Sequence, residues 1–307
     1  MKKGLAQYFT QCVAAPALLL AAVSAQGKDY YLELDINTGH NSNVFLEADD
    51  DIVLADTFSQ QDIQTQIGVM GSYEFFDGEH SDAEVTLDYF TESFAANDLD
   101  STITSVSVPY TYYTNQYRIR ITPAIMRYRL SGEDALHYNS GRLDVTRKLG
   151  TAQWGAQYGY SKKTAQDVSF LDYQGNSQNI KTHVTFRRFG SSLRLNLNLF
   201  SNDYEDAYSS NDGYSVQASY QQRFRHTGYR VSAKFKDTQY IADPLLDDVA
   251  RNDGQLSIGY TQDYYLNAVS ELYFNSEYVT NDSNVALSGE NYSYHQWVNS
   301  LGMRFVF

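Results

Sequence analysis

The feature that most constrains this chain is an alternation of apolar and polar residues that runs through segments of 10 to 15 residues. Successive side chains of a strand point to opposite faces, so each such segment has one apolar and one polar side. Leu193-Arg194-Leu195-Asn196-Leu197-Asn198-Leu199 shows this most cleanly, and Tyr214 to Tyr220 and Trp154 to Tyr160 repeat it. From residue 29 to 307 nothing sustains a helical period. Fourteen segments carry the alternation, near 29–37, 62–76, 81–95, 101–113, 116–130, 138–149, 152–162, 178–189, 191–204, 213–226, 228–241, 253–264, 266–280 and 292–307.

Strand length separates the two folds that alternate in this way. Strands of soluble sandwiches and propellers run about 5 or 6 residues, whereas a tilted strand needs about 9–11 to cross a bilayer. The connections follow a matching rule. After even-numbered segments they are tight: Asp77-Gly78, Thr114-Asn115, Leu149-Gly150, Gly190-Ser191 and Thr227-Gly228. After odd-numbered segments they are longer and rich in Asp, Asn, Ser and Gly, as at 163–177, 205–212 and 281–291. The expected fold is all-β, a transmembrane antiparallel up-and-down β-barrel of about 14 strands in a Gram-negative outer membrane. An even strand number returns both termini to one side, expected to be periplasmic.

Other classes fall away on composition. Beyond residue 25 no apolar run approaches the roughly 20 residues of a membrane-spanning helix. The 27 Tyr and 16 Phe argue against disorder, and a single cysteine cannot make a disulfide framework. Residues 1–25 read as a secretory signal peptide, with Lys2 and Lys3, an apolar stretch from Cys12 to Val23, and the small-residue site Val23-Ser24-Ala25. Residues 26–307 are then the barrel domain. Without Lys2 and Lys3, 21 basic residues face 37 acidic ones, a net charge of −16, which argues against nucleic acid as a partner. The last segment ends with Leu301, Met303, Phe305 and the terminal Phe307 on one face. That pattern resembles the C-terminal signal read by barrel-assembly machinery, an expected partner alongside outer-membrane lipid and lipopolysaccharide.

With the apolar face outward, lipid is expected to meet Leu32, Leu34, Ile67, Val69, Leu87, Val106, Val108, Ile119, Ile121, Leu195, Leu197, Val216, Val231, Ile258, Leu272 and Leu301. Tyr and Phe at segment ends, such as Tyr73, Phe75, Tyr110, Tyr112, Tyr260 and Phe274, suit the two interfacial girdles. The inward charges sort by strand. Glu33, Asp35, Glu74, Glu84, Asp88 and Glu92 lie on strands one to three, and Asp263, Glu271 and Glu277 on twelve and thirteen. Arg118, Arg120, Arg142, Lys148, Lys181, His183, Arg187, Arg194, Arg223, Arg225, Arg230, Lys234 and Lys236 lie on strands five to eleven. Closure makes the acidic strands neighbours across the seam, with Arg304 as an exception. The expectation is an acidic wall opposite a basic wall, and either a field across an open or gated pore or ion-pair networks that plug it. A bulge at Pro123 would shift the register and turn Arg127 and Arg129 inward, and Pro109 marks a similar irregularity. The long loop 38–61, with Glu47, Asp49, Asp50 and Asp51, reads as solvated surface.

No catalytic motif, phosphate loop or metal-ligand spacing stands out, so no enzyme, cofactor or metal is expected; His183 reads as a structural inward histidine. The stretches Thr38-Gly39-His40-Asn41-Ser42-Asn43-Val44 and Asn281-Asp282-Ser283-Asn284-Val285 resemble motifs in the C-terminal β-barrel domain of surface lipoprotein assembly modifier proteins. The resemblance spans about residues 29–307 and implies a fourteen-stranded barrel that helps move lipoproteins or other proteins to the cell surface. Those proteins carry a periplasmic tetratricopeptide-repeat region before the barrel. Here the first strand follows the cleavage site closely, so a separate periplasmic partner is expected to capture the client. Asn43 to Leu46 also resembles a stretch in barrels of exopolysaccharide export. The expected function is a transport or translocation pore for proteins, with a polysaccharide or porin-like channel and a plugged surface barrel as alternatives.

Overall fold

Alternation of the kind read above becomes one continuous wall when every strand finds two neighbours. The computed structural model describes residues 30–43, 61–97, 99–241, 250–284, 286–287, 290–291 and 293–307. The expected signal peptide, most of loop 38–61 with its acidic run, and Val44 and Val285 of the two motifs lie outside the described residues.

The strands are β1 (Tyr30–Asn41), β2 (Asp62–Asp77), β3 (Ser81–Phe94), β4 (Ser101–Ser107), β5 (Tyr110–Tyr113), β6 (Tyr117–Leu130), β7 (Glu133–Leu149), β8 (Ala152–Ala165), β9 (Gly175–Arg188), β10 (Ser191–Tyr204), β11 (Asn211–Arg223), β12 (Thr227–Tyr240), β13 (Asn252–Tyr265), β14 (Ser270–Ser283), β15 (Ala286–Leu287), β16 (Glu290–Asn291) and β17 (Tyr294–Val306). β4 and β5 are two halves of one wall strand, and β15 and β16 form a small hairpin beyond β14. The wall is therefore a closed antiparallel barrel of 14 strands. β1 pairs with β17 from Glu33↔Val306 to Asn41↔Val298. Closure leaves no row of unpaired backbone groups, as a strand wall in lipid requires.

The interior and exterior are inverted relative to a water-soluble domain. Among the described residues the buried apolar set is only Leu32, Ala83, Ala135, Leu136 and Tyr273, while the buried polar set includes Thr111, Asn196, Thr238 and Asn281. Large apolar side chains such as Ile121, Ile125, Ile180, Leu195, Leu197, Val216 and Ile258 stand exposed on the outside. Water inside and lipid outside account for both facts.

Two sequence expectations need correction here. The connection after β6 is not a long polar loop: Ser131 and Gly132 close a two-residue turn with φ 49° and 86°, and β7 starts at Glu133 rather than 138. Two positive φ angles suit the twist of a hairpin, and Phe189-Gly190 repeats the device at 46° and 78°. Nor does Pro123 shift the register, because it stands opposite Gly141 within an unbroken run of β6–β7 pairs. Pro109 interrupts the strand, yet Ser107↔Ala124 and Tyr110↔Ile121 keep one offset. Val108 N–H donates to Pro123 O at 3.1 Å and Glu84 N–H to Pro109 O at 3.1 Å, so the prolines' carbonyls hold the wall together. Arg127 and Arg129 consequently stay outward and exposed, at the loop end of β6. The β6–β7 register does shift at Tyr128/Arg129.

Candidate functional site

A cavity of about 950 Å³ occupies the lumen. Asn37 and Asn41 of β1, Gln64 and Gln66 of β2 and Glu92 of β3 line one side. Facing them are Lys181 and Arg187 of β9, Arg194 and Asn196 of β10, Gln217 and Gln221 of β11 and Arg230 of β12, with Glu277 of β14 beside the seam.

The pairing of strands decides whether these charges are spent on one another. Each basic residue of β9–β12 stands between neutral neighbours. Lys181 lies opposite Gln157 and Asn198, and Arg194 opposite Thr185 and Ser219. Arg230 lies opposite Gln221 and Thr261, and Lys234 opposite Gln217 and Ser257. Among the described residues none of Lys181, Arg187, Arg194, Arg223, Arg230 or Lys234 forms an ion pair with a carboxylate. Their polar contacts are neutral: Arg194 Nε donates to Asn196 Oδ1 at 2.9 Å, and an Arg187 guanidinium N–H donates to Gln153 Oε1 at 3.1 Å. Arg223 lies over the Tyr265 ring at 4.4 Å.

The carboxylates of the opposite side are better partnered. Arg304 on β17 reaches Glu33 at 3.2 Å, Asp35 at 3.0 Å and Glu271 at 2.6 Å. The Tyr31 hydroxyl donates to Glu33, and the Tyr273 hydroxyl donates to Asp35. Glu84 pairs with Arg120, Asp88 accepts from Ser105 at 3.0 Å, and Glu92 accepts from Gln66 at 2.6 Å. On β7, Arg142 pairs with Asp144 at 2.8 Å. Asp88, Glu92, Asp263 and Glu277 also face the lumen without an ion pair among the described residues, but the unpaired cations outnumber them and are concentrated on β9–β12.

Arg118, Arg120, Arg142, Lys181, Arg187, Arg194, Arg223, Arg230 and Lys234 all lie on the inward-facing positions of their strands, as do Glu33, Asp35, Glu84, Asp88, Glu92 and Glu271. Arg225 does not, because it sits in the exposed turn between β11 and β12. Sequence reasoning missed the inward Asp144 and Lys163, and it recorded Arg304 only as an exception. Strand parity would have placed the first two. The grip of Arg304 on three carboxylates depends on cross-seam register, which no single segment displays. Leu301, Met303 and Phe305 point outward on β17, and the rings of Phe305 and Phe307 stack at 6.5 Å.

The two motifs that carry the family resemblance meet structural needs at the loop end. Asn43, 1% exposed, donates its backbone N–H to Asn41 Oδ1 at 3.0 Å. Gln296 Nε2 donates to Asn41 Oδ1 at 2.8 Å and to Asn43 O at 2.9 Å. Across the seam Ser42 N–H donates to Trp297 O at 2.9 Å, and Trp297 N–H donates to the Ser42 hydroxyl at 2.7 Å. This amide network ties β1 to β17 where the ladder ends. Asn284 accepts from Asn252 N–H at 2.6 Å and fastens the top of β14 to β13.

No family model matches the sequence, and no curated protein matches it. Solved structures do match over nearly the whole chain. A loop L8 deletion mutant of OmpT, an outer membrane protein of Vibrio cholerae, aligns with TM-score 0.51 and 11% identity, covering 91% of this chain and 98% of that one. An anion-selective porin from Comamonas acidovorans aligns with TM-score 0.50 and 11% identity, covering 91% and 98%. CdiB from Acinetobacter baumannii aligns with TM-score 0.51 and 11% identity, covering 92% of this chain and 60% of that one. At such identity the likeness establishes fold alone, so the surface lipoprotein assembly reading is supported only at the level of the barrel. The exclusion of enzymatic activity is corrected by the same finding. The barrel is shared with OmpT at about 10% identity, and neither a missing motif nor the fold rules catalysis out. What is shown is the fold of an outer-membrane β-barrel, with a polar lumen in place of a packed core.

Proposed function

We propose that the chain is a hydrophilic pore of the outer membrane, termini toward the periplasm, through which anionic solutes pass in preference to cations. The observation that carries this reading is the unpaired basic strip of β9–β12 on a lumen of about 950 Å³. A structural plug would spend those cations on carboxylates, since a charge left facing a low-dielectric wall is costly unless paired or hydrated. Exposed to lumenal water, they instead raise the local anion concentration. A passage through the lumen suits the seam better than a lateral exit does. Leu32 and Phe307 exchange backbone hydrogen bonds at 3.2 and 2.9 Å, and Ser42 bonds Trp297 at the far end.

Solute entry into proteoliposomes tests the reading. Vesicles carrying the protein should admit lactate faster than a monovalent cation of the same size. Replacing Lys181, Arg194 and Arg230 with Gln should narrow that difference by about threefold or more, because each removed charge lowers a field only partly screened at 0.1 M salt. Entry rates indifferent to solute charge would sink the reading.

A further inference from the structure

The inward side of β10 presents Arg194, Asn196, Asn198, Phe200, Asn202 and Tyr204 in order toward the loop end. Alternate residues on one face are spaced by two strand rises, so the row is about 33 Å long. Three chemistries are therefore laid out in one lane.

Cations flank its lower half. Lys181 on β9 lies opposite Asn198, and Lys234 on β12 lies opposite Gln217, which itself lies opposite Asn196, so the two lysines stand on either side of the row just above Arg194. Amides fill the middle: Asn179 Nδ2 donates to Asn198 Oδ1 at 3.2 Å, and Asn196 Nδ2 donates to Gln217 Oε1 at 3.3 Å. Rings close the upper half. Phe200 lies directly over Gly213, where any Cβ would collide with it, with the Lys236 ammonium 5.1 Å from its centroid. Tyr204 meets Tyr173 edge to face at 6.4 Å. Lys163 donates to the Tyr204 hydroxyl at 2.6 Å and lies 4.5 Å from that ring's centre.

A ligand that uses all three must carry spaced carboxylates, many hydroxyls, and C–H faces that pack on the negative face of a ring. We propose that this lane binds acidic oligosaccharides, with uronate carboxylates on Lys181, Arg194 and Lys234 and sugar faces on Phe200 and Tyr204. The proposal rests on the pore reading for its access route and names the solute class that the strip favours. A small anion would use the cations and leave the rings idle. A neutral sugar would leave three cations unmet. Tyr204 also lines a second hollow, where Lys162 and Lys163 are balanced by Asp203 and Glu205.

The test is calorimetric titration of the refolded full chain in detergent with hexagalacturonate, long enough to reach from the cations to the rings, and with citrate and maltohexaose. Hexagalacturonate should bind at least about tenfold more tightly than either control, a difference of about 1.4 kcal/mol. Phe200→Ala with Tyr204→Ala should lower hexagalacturonate affinity about tenfold and spare citrate, whose binding then also certifies the variant's fold. Lys181→Gln with Arg194→Gln and Lys234→Gln should weaken both. Equal binding of citrate and hexagalacturonate, indifference to ring removal, or no binding at all overturns the proposal. Chloride selectivity of the unliganded protein separates the two readings. Anion selectivity without a hexagalacturonate preference leaves the pore and removes the lane. Ring- and cation-dependent binding in a protein that conducts nothing keeps the lane and removes the pore.

Discussion

Arg304 holds three carboxylates at the seam, and that one side chain does much to set the sign of the lumen. Without it, Glu33, Asp35 and Glu271 would face the basic strip unopposed. Arg304→Gln should therefore reduce anion preference although it touches no basic-strip residue. It should also destabilise the barrel by about 1–3 kcal/mol, less than a dry ion pair would cost because lumenal water screens the site. Urea unfolding in vesicles, followed through Trp154 and Trp297, measures the second effect. An unchanged midpoint would mean that the cluster is incidental. Strand parity made the inward set legible: Arg194 and Leu195 cannot share a face. Which charges are cancelled was not legible, because Arg304 meets Glu33 and Asp35 only after 14 strands close and the two ends of the chain become neighbours.

Single strands show the same division. On β10, Leu195 and Leu197 lie on the outward face and Asn196 points to the lumen. Leu197→Arg should cost about 2–4 kcal/mol if it lies at mid-membrane, whereas Asn196→Arg should cost little, since lumen positions are hydrated; similar unfolding midpoints would refute the assignment of faces. Turns were legible only where they differ clearly from strand. Ser131-Gly132 was not, because two residues with positive φ leave the flanking alternation almost intact. Gly132→Ala should cost about 1–2 kcal/mol by forcing a Cβ into left-handed backbone. Refolding yield and melting temperature report it, and a neutral outcome would argue against this turn. Beyond β8 a 3-10 turn spans Val168–Tyr173, capped by Asp167, whose side chain accepts from Ser169 N–H at 2.8 Å. That hydrogen bond holds the Asp167 carboxyl below its ordinary pKa. The cap is thus intact above the ordinary carboxylate pKa and is lost as pH falls through the depressed one. Amide exchange at Ser169 should rise across that interval, and a flat profile would show that the cap does not depend on the charge. Pro123 misled for a related reason. Its missing N–H matters only if a partner strand needs it, and its carbonyl instead serves Val108.

For the molecule as a whole, net charge is a poor guide to the lumen. The full sequence carries −14, yet the unpaired charges that β9–β12 turn toward the lumen are cations. Carboxylates sit partly at the outer rim, as with exposed Asp203, Asp212 and Asp282, partly in pairs, and in smaller number unpaired on the rest of the lumen wall. The fold was readable because period, segment length and connection length all demanded a barrel. The chemistry was not, because it depends on neighbours brought together by shear and closure. The most direct test of the central claim is the zero-current potential of single channels in a planar bilayer under a tenfold KCl gradient. The potential should have the sign of an anion-selective pore and move toward zero when Arg194, Arg230 and Lys234 are replaced by Gln. Cation selectivity, or no conductance from correctly folded protein, would contradict it.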